Sequence, residues 1–299
     1  MKLNGFLLFS VFGVWSVSAQ DLTAPATIQP PVTVQPQRTE PIYRVTVVSR
    51  TTKAINYGHL TLPTKVDMKG TVLLPDAKGE AEVQSLRGAT KIEVRINHLE
   101  APTRFGPEFL TYVLWAISPE GRPVNLGELV AGPSNKARLK VSADLQAFAL
   151  IVTAEPYFSV LQPSDVVVLE NMLRPDTVGK VEEVDAKYEL LPRKQFTYNT
   201  ANRSATSTGP KVSMEEYEAV LALYQAQNAL QIAKAAGADT QAADSYHKAE
   251  QLYQQALNLQ ARKSDSKQIV MTARESAQAA EDARAITKKR QQPEAAIQH

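Results

Sequence analysis

The chain contains no cysteine. That excludes a disulfide framework, a thiolate zinc site, a cysteine nucleophile and a lipid-modified N-terminal cysteine. Histidine is scarce as well, four in 299 residues, which leaves little for acid–base or metal chemistry. Neither sign of charge dominates: 33 basic against 31 acidic residues leave +2, so no field points to nucleic acid. No apolar run approaches the roughly twenty residues that a helix needs to span a bilayer. A Gly-x-Ser-x-Gly elbow, a Walker loop, a His-Glu-x-x-His pair and an EF-hand loop are all missing. Apolar residues make up 43% of the chain, enough for a core, but 18 prolines argue against compactness throughout.

What is present begins with a three-part N-terminus. Lys2 precedes an apolar run from Phe6 to Val17, and Val17-Ser18-Ala19 follows with a small residue last. This is the layout of a secretory signal peptide, residues 1–19, with cleavage expected between Ala19 and Gln20. Residues 20–42 are rich in proline, which lacks an amide donor and favours polyproline II, so an extended tether is expected. The mature chain is then exported, without a transmembrane segment, to the periplasm or the outer membrane.

From 43 to 191 the apolar period is two. Tyr43, Val45 and Val47 alternate with polar residues, as do Ile92, Val94 and Ile96, then Ala137, Leu139 and Val141, then Val184, Ala186, Tyr188 and Leu190. One wet and one dry face is the pattern of antiparallel strands. Phe109 to Ile117 and Phe148 to Thr153 are apolar on both faces and are expected to be central strands. Ser118-Pro119-Glu120-Gly121 has the chemistry of a tight turn. The expected fold is an all-β, immunoglobulin-like antiparallel sandwich.

A polar linker, 192–212, separates it from a helical domain at 213–291, with a disordered tail at 292–299. Between Lys211 and Gln292 there is no proline and one glycine, Gly237. Ser213 and Glu216 form a capping box, and the first helix should stop at Gly237 as a left-handed C-cap. Asp239 is expected to cap a second helix to about Arg262 and Asp265 a third to about Arg290, giving a helical hairpin or three-helix bundle with coiled-coil character. A buried alanine methyl contributes at most about 0.8 kcal/mol against roughly 1.5 kcal/mol of ordering cost per residue. Such helices should lean on the β domain, on a second copy or on a partner. Tyr217, Tyr224, Tyr246 and Tyr253 are the candidate partner-binding residues.

Other candidate chemistry is thinner. Ser264-Asp265-Ser266-Lys267 matches Ser-x-x-Lys, but without its companion motifs it reads as an interhelical cap. His98 continues the inward face of Ile92, Val94 and Ile96 and is expected to be a strand-end histidine with a backbone partner. Glu93, Glu100 and Glu155 would make a hydrolytic pair only if the fold brought two together. Tyr112 and Trp115 would stack on a sugar if exposed; on a central strand they read as core.

Two family resemblances follow from these segments. Tyr112-Val113-Leu114-Trp115 with Gly121, Leu126-Gly127, Glu155-Pro156 and Pro163 resembles the β domain of extracytoplasmic anti-sigma factors. This implies a fold and not control of transcription, because the cytoplasmic zinc-binding part of that family has no counterpart here. Val178 to Val184, with Ala226-Gln227-Asn228-Ala229, Ala236-Gly237-Ala238-Asp239 and Ala242-Ala243, is similar to the N-terminal part of certain OmpA-family envelope proteins, including a helical domain of unknown function 4398. In those relatives an OmpA-like domain that binds peptidoglycan can follow; no such domain is read in these residues, so that activity is not carried over. The resulting expectation is a non-catalytic envelope protein without a cofactor. It would bind an envelope protein, or itself, through the helices, with peptidoglycan as a further partner. The alternative is a wall-glycan-binding module or accessory hydrolase working through the sandwich.

Overall fold

A computed structural model describes residues 52–58, 62–132, 134–184 and 213–297, all within one compact unit. The expected signal peptide with its Ala19–Gln20 junction, the expected tether and linker, His59, His299 and the alternations at 43–47 and 186–190 lie outside the described residues.

Among the described residues ten strands form: β1 (Thr52–Asn56), β2 (Thr64–Gly70), β3 (Lys78–Leu86), β4 (Ala89–Asn97), β5 (Thr111–Ile117), β6 (Pro123–Leu129), β7 (Lys136–Ala143), β8 (Ala147–Glu155), β9 (Val167–Met172) and β10 (Lys180–Val184). Every pairing is antiparallel. The hydrogen-bonded path runs β7-β4-β3-β2-β9-β8-β5-β6, and β1 continues along β8 and carries β10. The two ends of that path approach each other: a Cβ built on Gly127 of β6 would lie 3.5 Å from the Leu139 side chain of β7. The sheet is therefore nearly closed and barrel-like, where a sandwich of two sheets was expected. Alternation of side chains along a strand is the same in both architectures, so periodicity does not separate them.

The barrel interior takes Ile92, Val94 and Ile96 of β4, Tyr112, Leu114 and Ala116 of β5, and Phe148, Leu150 and Val152 of β8. The alternate residues Val113, Trp115, Ile117, Ala149 and Ile151 join a second core with the helices. The two doubly apolar runs are thus strands buried on both faces, one by the barrel and the other by helices. The expected turn is present, with the Gly121 amide donating to the Ser118 carbonyl at 2.9 Å. At Gly70 the chain folds back so tightly that a Cβ would overlap the carbonyl oxygens of Leu74 and Ala77. Gly70→Ala is expected to cost about 1–3 kcal/mol, since backbone rather than a flexible side chain must move; urea unfolding measures it.

After the described strands come α1 (Met214–Ala235), the single-turn α2 (Ala238–Gln241), α3 (Ala243–Ala261) and α4 (Ser266–Ile297). The capping box is formed: the Glu216 amide donates to Ser213 Oγ at 3.2 Å, and the Ser213 amide to Glu216 Oε2 at 2.9 Å. Ser213→Ala should cost about 1 kcal/mol, read as lost amide-exchange protection in the first turn. Gly237 follows α1 with φ +87°, as expected. Asp239 is not a cap. It sits in the first turn of α2, and the expected second helix is broken at Ala242, whose backbone leaves helical geometry at φ −140°, ψ 46°. Ala238 and Ala242 are buried there, so packing imposes a break that local propensity does not signal. Asp265 precedes α4 and accepts from the Lys267 amide at 3.3 Å, but α4 runs past Arg290 to Ile297.

Gln291 of α4 reaches the Ala236 carbonyl at the end of α1, so these two run parallel. Ser276 reaches the Ala249 carbonyl while Arg290 reaches that of Gln241, so α3 runs antiparallel to α4. Ala219, Ala222, Ala226, Ala229 and Ala233 of α1 and Ala273, Ala277, Ala280 and Ala283 of α4 are all buried, at three- and four-residue intervals. Methyl-sized contacts let the helix axes approach closely, and the bundle rests on the outer face of β5 and β8.

Candidate functional site

Polar side chains fasten the bundle to the sheet. The segment between β8 and β9 is gripped from two helices. Asn228 of α1, 0% exposed, donates to the carbonyls of Glu108 at 2.9 Å and Pro156 at 3.1 Å. Gln225 accepts from the Phe158 amide at 2.8 Å and donates to Glu128 Oε1 at 2.7 Å. Glu128 also accepts from Thr111 Oγ1 at 2.7 Å and from Arg274 of α4 at 2.5 Å, and the Arg274 guanidinium lies 3.7 Å above the Phe158 ring. Deepest is Glu281 of α4, 0% exposed, which accepts from Tyr157 Oη at 2.5 Å, from the Leu161 amide at 3.0 Å and from Arg284 Nε and Nη2 at 2.7 and 2.8 Å. Burial works against the Arg284 charge, yet hydrogen bonding to Glu281 and its charge hold the guanidinium above its ordinary value.

With one side of α1 and α4 taken by the sheet, α3 lies over the other side. Between α1 and α3 a cleft of about 450 Å³ remains, lined among others by Gln227, Leu230, Lys234, Tyr246, Tyr253 and Gln254. Burial, then the charge of Glu250, pushes the Tyr246 hydroxyl up to about 12, so it stays a neutral donor throughout the physiological range. An apolar floor, two aromatic rings, amides that both donate and accept, and the Lys234 and Glu250 side chains suit recognition of a polypeptide surface.

The four candidate tyrosines are divided by the fold. Tyr246 and Tyr253 share this cleft, Tyr246 being buried and Tyr253 half-buried. Tyr224 is half-buried on α1, and Tyr217 is 46% exposed in its first turn, where partial burial and then the charge of Glu128 on the sheet push its hydroxyl up. Tyr112 and Trp115 are 0% exposed. Tyr112 Oη donates to the Glu100 carbonyl at 2.7 Å and Trp115 Nε1 to Thr153 Oγ1 at 2.8 Å, so neither ring offers a face to a sugar. The three carboxylates go to separate places. Glu93 is held by Arg95, Arg138 and Lys140, Glu100 by Arg104, and Glu155 by Thr153 and the Ser164 amide. His98 does not continue the inward face. It is exposed, with φ +57°, and Leu99 takes the buried position instead. His247 is on the α3 surface, 3.1 Å from Glu250. Ser264 and Asp265 lie between α3 and α4, and Ser266 and Lys267 open α4. Among the described residues no group of three or more potential metal ligands occurs, and no helix is long and apolar enough to cross a membrane.

Sequence reading missed Gln225, Asn228, Glu128, Arg274, Glu281 and Arg284. A signal existed for three of them: Gln225 and Asn228 interrupt the alanine stripe of α1, and Glu281 does so on α4. Polar residues inside an apolar stripe mark a buried polar partner beyond the helix.

The fold and its cleft define a β-barrel-like domain with a docked helical bundle and an open helix–helix groove. Comparisons with protein-family models, with curated proteins and with solved structures find no match to this chain.

Proposed function

We propose that this chain is an exported, non-catalytic protein of the bacterial cell envelope that binds a protein partner through its helical bundle in the periplasm or at the outer membrane. The observation that carries this reading is the α1–α3 cleft, an open groove with two tyrosines on a bundle whose opposite side the sheet already occupies. The leader-like residues 1–19, and the resemblance to OmpA-family envelope proteins read in residues 178–184 and 226–243, support the compartment. Burial of Tyr112 and Trp115 deprives the glycan-binding alternative of its stacking platform.

In-cell cross-linking of the full chain in its own host, with mass spectrometry of the envelope fraction, tests the proposal. Links from Lys234, inside the cleft, to one envelope protein are expected. A chain that is monomeric and unlinked at Lys234, or that is retained on isolated sacculi without a protein partner, overturns it.

A further inference from the structure

On the outer face of β4 and β7 the side chains form a ladder of four rungs: Lys91 opposite Ser142, Glu93 opposite Lys140, Arg95 opposite Arg138, and Asn97 opposite Lys136. Five cations and one carboxylate occupy these eight positions, on a chain whose whole net charge is +2. Like charges directly opposite, such as Arg95 and Arg138, are unfavourable in a sheet, so this rung is held against its own repulsion.

Glu93 is what holds it. Its side chain is only 14% exposed and contacts Arg95, Arg138 at 2.5 Å and Lys140 at 3.1 Å. Partial burial opposes its ionisation, but hydrogen bonds from Lys140 and Arg138 and the charges of Arg138 and Arg95 hold its carboxyl at about 2. On β3, Glu82 stands opposite Glu93 and Glu80 opposite Arg95, Glu80 being paired with Lys65 and Arg174, so the excess positive charge lies on the β7 side of the ladder, at Lys136, Arg138 and Lys140. Each guanidinium has five N–H donors and spends few of them on Glu93, while Arg95, Arg138 and Lys140 remain 50%, 54% and 54% exposed. The carboxylate thus orients three cation heads whose outward donors stay open, a preorganised fork suited to tetrahedral oxyanions.

The shape narrows the ligand. The ladder runs along the outer face of two paired strands for about 20 Å at the usual rise per residue, with Lys91 and Lys136 at its two ends. A row of cations of that length meets several phosphate groups at once when these are arrayed on a surface. We propose that the outer face of β4–β7 is a binding site for the phosphate groups of an anionic membrane surface, with Arg95, Arg138 and Lys140 as the phosphate ligands and Glu93 as their positioning residue.

The test is co-sedimentation of the full chain with vesicles of phosphatidylcholine alone or mixed with phosphatidylglycerol, with pyrophosphate in solution as a second arm. Binding to the mixed vesicles only is expected, weakening with salt. Each cation removed should lower binding about fivefold, the equivalent of about 1 kcal/mol, so the double variant R95Q/R138Q should lose about 25-fold. Because these side chains are exposed, that variant should keep its thermal unfolding midpoint. Glu93→Gln should weaken phosphate binding although it removes a negative charge, which a purely electrostatic patch would not do. Binding of pyrophosphate without vesicle binding, reduced by the same double variant, would keep the phosphate site and assign it to a soluble ligand, overturning the membrane. Equal binding to both vesicle types, or unchanged binding by R95Q/R138Q, would overturn the site.

Discussion

Glu281→Ala is expected to destabilise the protein by about 3–5 kcal/mol, because it removes one member of a buried ion pair and strands the other. Arg284 is only 10% exposed and would keep its charge with no carboxylate to accept from it. The Tyr157 hydroxyl and the Leu161 amide would lose the same acceptor. All three donors come to Glu281 from the junction of α4 with the segment after β8, so the damage should be local at first. Hydrogen exchange is expected to rise in α4 and around 157–161 before it rises in β3 and β4, and urea unfolding should give the total. The double variant E281M/R284M is the informative control. Replacing both charges by apolar side chains of similar length removes the desolvation cost along with the attraction, and should recover most of the loss. A single variant within about 1 kcal/mol of the parent would mean that this pair does not fasten the helices.

Trp115→Ala should cost about 3–5 kcal/mol, measured by urea unfolding. Among the described residues Trp115 is the largest fully buried side chain, and it belongs to the core that β5 and β8 share with the alanine stripes of α1 and α4. Those stripes are methyl-sized and lie on fixed helices, so they cannot expand into the vacated volume. The change also removes the donor to Thr153 Oγ1, which itself donates to Glu155 at 2.6 Å in the same buried row. Trp115→Phe keeps most of the volume and loses the N–H, so it should cost much less; the gap between the two variants measures the cavity. If alanine and phenylalanine cost the same, the hydrogen bond and not the packing dominates at this site.

Both expectations concern the junction between helices and sheet, which is where sequence reading was least complete. The alanine-rich composition predicted that the helices need support, because methyl groups bury too little area to hold a bundle alone. Which support they use was not legible. Gln225, Asn228 and Glu281 stand in helical stripes as exceptions, and a single sequence does not name the backbone groups of Glu108, Pro156, Phe158 and Leu161 that answer them. The same holds for the ladder on β4 and β7: Glu93, Arg138 and Lys140 are scattered in sequence, and only strand register makes them neighbours.

By itself the sequence determined the local features. Strand alternation at Ile92, Val94 and Ile96, burial of both faces in Phe109–Ile117 and Phe148–Thr153, the Ser213–Glu216 cap and the Gly237 stop each depend on residues within a few positions of one another. Tertiary structure alone decided that the sheet nearly closes, that α2 and α3 part at Ala242, that Tyr246 and Tyr253 share a cleft while Tyr217 stands apart, and that His98 turns outward. The reason is physical. Alternation and capping reflect the geometry of one strand or one turn, whereas closure, docking and cleft formation depend on packing between segments far apart in the chain, where steric fit and buried hydrogen bonds outweigh local preference.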